Sequence, residues 1–403
     1  MIAEFCVSNF FSIRSEQKIS FEASSDSQLA DEYVVEIQPG VRLLKLGIVY
    51  GANASGKSNV LRALEFFRQI MTEIPADKTT EIGAVPFLLD KESRNAHTRM
   101  SMIFYLEGER YVLSVELDKQ RIYQESLAVY ASKTPTTLYK RIYNAGSDMA
   151  EVTFSQKAGI AKKSQNIIVG NTINNSTVIA AFGKSNVESS RLNRVYDYFT
   201  NRYSEMVTPA VSLTELVKAA MRSDENLEQK RFLLKMLRVS DFNIVDIRLH
   251  ELGNASAEID FQHKTDAGQY ELPEALESNG TMRFLGMSVL LHRLLVGNCF
   301  LQIDEAETSL HYELLSYLVK LFLANSDGHS QMLFTTHDIN LLNEEFLRRD
   351  AIWFTDKNDL GETTLKRLNQ MGLHKTLSPY NAYRQGKLVR LPFLGSIYLD
   401  QND

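Results

Sequence analysis

The hydrophobic positions divide the chain by their period. Up to Tyr50 they read as strands: Ala3 to Val7 is short and apolar, Ile19-Ser20-Phe21 follows a polar turn, and Leu46 to Tyr50 (LGIVY) is an unbroken apolar run that stops at Gly51. Such a run predicts a strand buried on both faces. Asn59 to Thr72 changes to helical spacing, with Leu61, Leu64, Phe67, Ile70 and Met71 on one side. Met100 to Leu106 and Arg110 to Leu117 alternate about Glu107-Gly108-Glu109, which predicts a hairpin, and Gln124 to Tyr130 and Thr137 to Tyr143 predict further strands.

The character changes near residue 185. Asn186 to Arg238 has one Pro, no Gly and helical periodicity, for example at Leu213, Leu216, Val217 and Met221, and is expected to be a helical insertion. Ile244 to Leu252 and Ala257 to Gln262 return to strand-like sequence. From Leu285 helix and strand alternate: helix to Val296, a turn at Gly297-Asn298, strand Cys299 to Ile303, helix Leu310 to Ala324, strand Gln331 to Thr335, helix Asn340 to Phe346. That succession predicts an α/β class with a parallel sheet covered by helices.

Composition narrows the picture without changing it. The 403 residues carry 44 Lys and Arg against 50 Asp and Glu, a net charge of −6, with 44% hydrophobic residues, so the chain is globular and not uniformly basic. Two cysteines, Cys6 and Cys299, exclude a disulfide framework or a paired-cysteine zinc site, and their apolar surroundings predict buried thiols. No signal-peptide pattern opens the sequence, and His292, Arg293 and Asn298 interrupt its most apolar stretch, so a cytoplasmic protein with no membrane partner is expected.

Gly51-Ala-Asn53-Ala54-Ser55-Gly56-Lys57-Ser58 matches G-x-x-x-x-G-K-[ST] at every fixed position, between a buried strand and an amphipathic helix. The two glycines let successive N–H groups converge on one anion, and the helix start adds its positive dipole end. Lys57 is expected to reach the outer phosphates and Ser58 to ligate Mg²⁺. A second strand, Cys299 to Ile303, delivers Asp304 and Glu305 to its C-terminal edge, where open α/β sheets bind ligands. Asp304 suits a metal and Glu305 suits deprotonation of an attacking water. Ser278-Asn-Gly280-Thr281 opens a helix and offers a second anion site, while His337 ends the strand Met332 to Thr336.

With these motifs the chain resembles the ABC-type ATPase heads of the SMC, Rad50 and RecF group, within the AAA family ATPases of bacterial abortive-infection and anti-phage systems, RloA-like or PARIS-type. The resemblance rests on Val7, Asn9-Phe10 and Ser12 before Ile19-Ser-Phe21; on Gly51 to Ser58 with Asn59 as Walker A; on Ser278 to Thr281 as signature; on Phe300 to Glu305 as Walker B; on Glu307 to Leu310 as D-loop; and on His337 as switch histidine. It covers residues 1–125 and 240–403. It implies a P-loop fold in three parts: a lobe at 1–185 with Walker A and a β-rich subdomain, the helical insertion at 186–240, and a lobe at 241–403 with the other motifs. The signature departs from Ser-Gly-Gly-Gln, and Pro86 to Asp90, where a Q-loop falls, contains no Gln.

The resemblance further implies a homodimer or higher homo-oligomer with ATP and Mg²⁺ in composite sites, the signature Ser278 and Gly280 of one copy facing the nucleotide of the other. Only 66 residues follow His337, so a nuclease or toxin activity is expected on a separately encoded effector. A RecF-like DNA clamp is the alternative. For nucleic acid the candidate is Tyr380 to Phe393, where aromatics alternate with Arg384, Lys387 and Arg390; the other reading of that strip is an edge segment docked on the core.

Overall fold

The computed structural model describes residues 1–131, 134–222, 227–239, 243–253, 256–374 and 376–391. The chain opens with β1 (Ile2–Ser8) and β2 (Gln17–Ser20), a one-turn helix α1 (Ala30–Tyr33), the hairpin β3 (Val34–Gln38) and β4 (Val41–Leu44), then β5 (Leu46–Tyr50) and α2 (Lys57–Thr72). A meander follows: β6 (Thr98–Leu106), β7 (Glu109–Leu117), β8 (Ile122–Tyr130), β9 (Thr136–Asn144) and β10 (Met149–Phe154). Helices α3 (Lys162–Asn171), α4 (Val178–Gly183), α5 (Ser190–Asp197), α6 (Thr214–Arg222) and α7 (Leu227–Val239) lead to a three-stranded sheet of β11 (Ile244–Gly253), β12 (Ser256–Thr265) and β13 (Gly268–Pro273). The last part alternates α8 (Asn279–Val296), β14 (Phe300–Ile303), α9 (Tyr312–Asn325), β15 (Gln331–Thr335), β16 (Ile352–Lys357) and β17 (Thr363–Arg367), and ends in α10 (Pro379–Arg384).

Two sheets make the body. One is antiparallel, in the order β10-β9-β8-β7-β6-β1-β2; the other runs β14-β15-β5-β16-β17, parallel except for β17. Their sequences differ as their environments do. In β7 the buried positions Tyr111, Leu113, Val115 and Leu117 alternate with half-buried ones, because one face is wet. All of β5, β14 and β15 is buried, which is why LGIVY, FLQI and QMLFT read as continuous runs. Helix α2 lies between the sheets, and aromatic rings bridge them: Phe5 meets Phe67 at 5.5 Å, Phe67 meets Phe199 at 5.9 Å, Phe199 meets Tyr203 at 5.9 Å, and Tyr203 meets Phe300 on β14 at 4.8 Å. Such edge and offset contacts each add about 0.5–1.5 kcal/mol beyond area burial.

Several expectations are modified. Between α5 and α6 the helical pattern is broken: Tyr198–Arg202 is a π-helical turn, and Tyr203 and Val207 run parallel to β14 as an added edge, with Asp304 N donating to Val207 O at 2.8 Å. The segment beginning at Asn340 is a 3₁₀ turn, Ile339–Asn343. Neither cysteine is fully buried. Cys6 alternates with the buried Phe5 and Val7 and so faces the outside of its sheet, where partial burial and the neighbouring Glu4 push its thiol up to about 12. Cys299 sits at the entry to β14. No helix among the described residues is long and apolar enough to cross a membrane.

One buried ion pair anchors the N-terminal segment to the parallel sheet. Asp350, just before β16, takes two hydrogen bonds from Arg348 and two from Ser24, and both charged side chains are 2% exposed. Burial alone would raise the Asp350 carboxyl, but these four bonds and the Arg348 charge outweigh it and hold it below the usual carboxylate range. Its stabilisation is therefore complete above the unfolded value and is lost as pH falls below 3.8 toward the lower folded value. Asp350→Ala, which strands the guanidinium, should cost about 3–5 kcal/mol in urea unfolding at pH 7 and progressively less as the pH is lowered below 3.8; a loss independent of pH would refute the charge account.

Candidate functional site

Strands β14, β15 and β5 are parallel neighbours in register: Ile303 pairs with Phe334, and Phe334 with Ile48. Their C-terminal ends therefore reach one edge together, carrying Asp304-Glu305, Thr335-Thr336-His337 and the Gly51–Ser58 loop. Ligands of open parallel sheets bind at this edge.

The loop is shaped by close approach. A Cβ on Gly51 would lie 2.3 Å from Thr355 Oγ1 and 2.5 Å from Ser55 Oγ. Gly56 has φ of +101° and caps α2; a Cβ there would lie 2.1 Å from Thr363 Oγ1. Ala54 is also left-handed, with φ of +61°. Asn53 and Ala54 are exposed at the tip, while Ser55 is buried and bonds Thr355 Oγ1 at 2.6 Å. Asn59, one turn into α2, donates to Ser12 Oγ at 2.6 Å; Ser12 Oγ bonds Thr363 Oγ1 at 2.7 Å, and Thr363 Oγ1 donates to Ser55 O at 3.0 Å. The loop is thus clamped from β17 and from the turn after β1.

Charged groups converge beneath it. Lys57 is 5% exposed and its Nζ donates to Gly51 O at 2.9 Å and Ala52 O at 3.2 Å, folding over the loop's own carbonyls. Burial pushes the ammonium below its ordinary range, and Glu307, Asp304 and Glu305 partly restore it. Ser58 Oγ donates to Asp304 Oδ1 at 3.0 Å, and Thr335 Oγ1 donates to the same oxygen at 2.6 Å. Glu305 has φ of +48°, a left-handed backbone that costs about 1–3 kcal/mol and persists only where the surroundings enforce it. What enforces it is Thr335 Oγ1, which accepts from Glu305 N at 2.8 Å. His337 Nδ1 stands 3.4 Å from Lys57 Nζ and its Nε2 3.9 Å from Glu305 Oε1. Burial, then the Lys57 charge, lowers the imidazole below its ordinary value, so the ring is neutral near pH 7. With Lys57 as donor, Nδ1 accepts and Nε2 carries the proton that faces Glu305.

Ser278 and Gly280 stand apart. Ser278 caps α8, accepting from Thr281 N at 3.0 Å and bonding Thr281 Oγ1 at 2.8 Å, and it is exposed. A Cβ on Gly280 would meet Ser309 O at 3.0 Å, so the start of α8 abuts the turn after Glu305. Among the described residues no hydrogen bond joins Ser278 or Gly280 to Gly51–Asn59. In the segment without a Q-loop Gln, the N–H of the buried Phe87 is held by Asn9 Oδ1 at 2.9 Å, and Arg14 pairs with Asp90 at 3.5 Å. Asn9 thereby ties that segment to the first turn. Sequence reading assigned no role to Ser12, Thr335, Thr355 and Thr363; the Thr-Thr before His337 was the one local signal among them.

The donor set fits a magnesium triphosphate. The loop leads into the start of α2, Lys57 stands at that helix start, and Ser58 Oγ and Asp304 Oδ1 lie 3.0 Å apart. Mg²⁺ is usually held by few protein oxygens, with phosphate and water completing its octahedron. Among the described residues no group of three or more His, Cys, Asp or Glu could hold a metal alone.

Fold and edge together define an ABC-type P-loop α/β protein. The family model described as "AAA domain, putative AbiEii toxin, Type IV TA system" matches residues 48–343, and the chain belongs to that family. Comparison with curated proteins returned no match. Among solved structures, the SMC head bound to the C-terminal winged-helix domain of ScpA aligns over 94% of this chain and 99% of its own, at 14% identity and TM-score 0.50. The SMC head of Thermotoga maritima aligns over 91% and 98%, at 15% and 0.45. An SMC head with extended coiled coil, bound to a ScpA domain derived from Pyrococcus furiosus, aligns over 95% and 98%, at 11% and 0.48. At these identities the likeness is one of fold.

Gly56→Ala imposes about 1–2 kcal/mol of backbone strain as well as the clash with Thr363. ATP affinity by titration calorimetry should fall about tenfold or more. Gly40→Ala, in the β3–β4 turn with φ of +82° and nothing within 4 Å, should leave it unchanged. Equal effects of the two would show that global strain, and not the loop, governs binding.

Proposed function

We propose that the chain is a Mg²⁺-dependent ATPase acting as a conformational switch. Two copies close on ATP, hydrolysis reopens them, and the change controls a separately encoded effector, a nuclease or toxin, in a bacterial anti-phage system. The observation that carries the reading is the meeting of Lys57, Ser58, Asp304, Glu305 and His337 at one sheet edge, with Ser58–Asp304, Lys57–His337 and His337–Glu305 contacts of 3.0, 3.4 and 3.9 Å.

The loop N–H groups and the start of α2 bind the phosphates, and Lys57 exchanges its two loop carbonyls for phosphate oxygens. Ser58 and Asp304 hold Mg²⁺, which when bound neutralises charge on the outer phosphates. Glu305, fixed by its left-handed backbone, accepts a proton from the attacking water, and the neutral His337 offers its Nε2 proton on the same side. Ser278 and Gly280, unconnected to the loop of their own chain, serve the nucleotide held by a second copy. The first turn of α8, like that of any helix, carries N–H groups without intrahelical partners.

The defence role is supported by the family's own description, which names an AbiEii toxin and a type IV toxin–antitoxin system. Control of a separate protein is supported by an SMC head of the same fold having been solved with a ScpA domain bound. Direct DNA clamping finds less support. Tyr383 packs on Phe354 at 6.0 Å, Leu388 and Val389 are buried, and Arg390 pairs with Asp359, so the C-terminal strip is docked on the core; its last aromatic, Phe393, lies outside the described residues. Arg191, Arg194, Arg202, Lys218, Arg222 and Lys230 all pair with acids.

Glu305→Gln should lower turnover about 10²–10⁴-fold and, with ATP and Mg²⁺, double the mass seen by light scattering. Lys57→Ala should abolish the mass increase, and both variants should lose protection from phage. A Glu305→Gln protein that binds ATP yet stays monomeric would sink the composite site, while intact protection with either variant would sink the switch.

A further inference from the structure

We propose that Glu307 is a positioning residue of this site: its carboxylate holds the backbone of His337 and couples the turn that abuts α8 to the Lys57–His337 pair. The proposal rests on the nucleotide-site reading above and gives Glu307, the first residue of the stretch likened to a D-loop, a specific task in that site.

Beside the Thr335–Asp304 side-chain bond, main-chain N–H groups at the tips of β14 and β15 are held at three points. Glu305 N donates to Thr335 Oγ1 at 2.8 Å, Ala306 N donates to Thr335 O at 3.0 Å, and His337 N donates to Glu307 Oε1 at 2.6 Å. The first two fix the strand ends. Only the third reaches the residue whose ring contacts Lys57, and it is the only one made by a long side chain. Removing it frees the His337 main chain at the point where β15 has already ended.

The other oxygen of Glu307 points to function more than to stability. Oε2 is sealed from solvent with no hydrogen-bond partner. A buried acceptor left unpaired costs about 1–3 kcal/mol, so a fold optimised for stability alone would not keep it. Its charge acts on the right groups: of the three carboxylates at this edge, Glu307 does most to restore both Lys57 and His337 toward their ordinary values.

Glu307 also sits where motion at the surface would arrive. The chain turns tightly after it: Thr308 N donates to Glu305 O at 2.9 Å, Leu310 N donates to Glu307 O at 2.8 Å, and Ser309 is left-handed at φ of +59°. Ser309 O is the atom 3.0 Å from a Cβ on Gly280. A shift of the α8 start therefore presses on a turn whose first side chain holds His337. The route is contiguous: Gly280, Ser309, Glu307, His337, Lys57.

The test is a kinetic double-mutant cycle on the full chain. Glu307→Ala should lower kcat about 30-fold and leave ATP affinity within about threefold. Glu307→Gln keeps a carbonyl that accepts from His337 N, and should recover kcat to within about fivefold of the parent. In a His337→Ala background, Glu307→Ala should cost less than about twofold more, because one residue acts through the other. Melting temperatures identify any variant that merely misfolds, and Glu307→Gln is the variant least exposed to that. Unchanged kcat in Glu307→Ala, a Glu307→Gln as impaired as Glu307→Ala, or additive losses with His337→Ala would each overturn the proposal. Normal turnover in Lys57→Ala would instead remove the nucleotide-site reading, and the proposal with it.

Discussion

Thr335 Oγ1 meets two neighbours of opposite need. It donates to Asp304 Oδ1 at 2.6 Å and accepts from Glu305 N at 2.8 Å. A hydroxyl can do both at once, which a carboxylate or an ammonium cannot. The consequence is that two adjacent acids on one strand end are turned different ways. Asp304 is aimed at Ser58, and Glu305, forced left-handed, lies beside His337. None of this would hold without parallel register: a one-residue slip of β15 against β14 would carry Thr335 to the opposite face. The apolar runs that bury these strands on both sides are therefore also what specify the site.

How much of this could be read from the sequence depends on sequence separation. The phosphate loop and the acidic pair are local patterns flanked by strands whose burial is visible in their composition. The period-two stretches became the antiparallel sheet because one face stays wet, and the predicted hairpin about Glu107 to Glu109 is the turn between β6 and β7. The clamp on the loop was not legible. Ser12 marks the opening motif but not what it touches, Thr355 and Thr363 lie in unremarkable contexts, and Thr363 reaches Ser55 across 308 positions. The edge formed by Tyr203 and Val207 was hidden for another reason. It is short, sits inside a helical pattern, and is defined by what it borders.

Charge follows the same division. The basic residues of 186–238 are interleaved with acids, the fold places an acid beside most of them, and exposed pairs of this kind contribute about 0–1 kcal/mol each. Their effect is mainly to cancel the field a polyanion would follow. Lys57 is the opposite case. It is buried and faces two carbonyls and a neutral imidazole, with no carboxylate among its hydrogen-bond partners. A cation held so keeps its charge for an anion at the start of α2.

The same comparison bears on why the proposed switch uses a second copy. In the proposed reaction Lys57, Ser58, Asp304 and Glu305 of one chain already sit together at the edge. At the start of α8 Ser278 caps Thr281, and no hydrogen bond among the described residues ties that helix start to the loop. In the proposed closed pair the helix start of one copy meets the loop of the other. An anion shared that way makes charge-assisted bonds to both, and it stabilises the closed pair only while its terminal phosphate remains attached. Cleavage then weakens the pair without any residue having to change its own preference, which is the requirement for a switch driven by differential affinity.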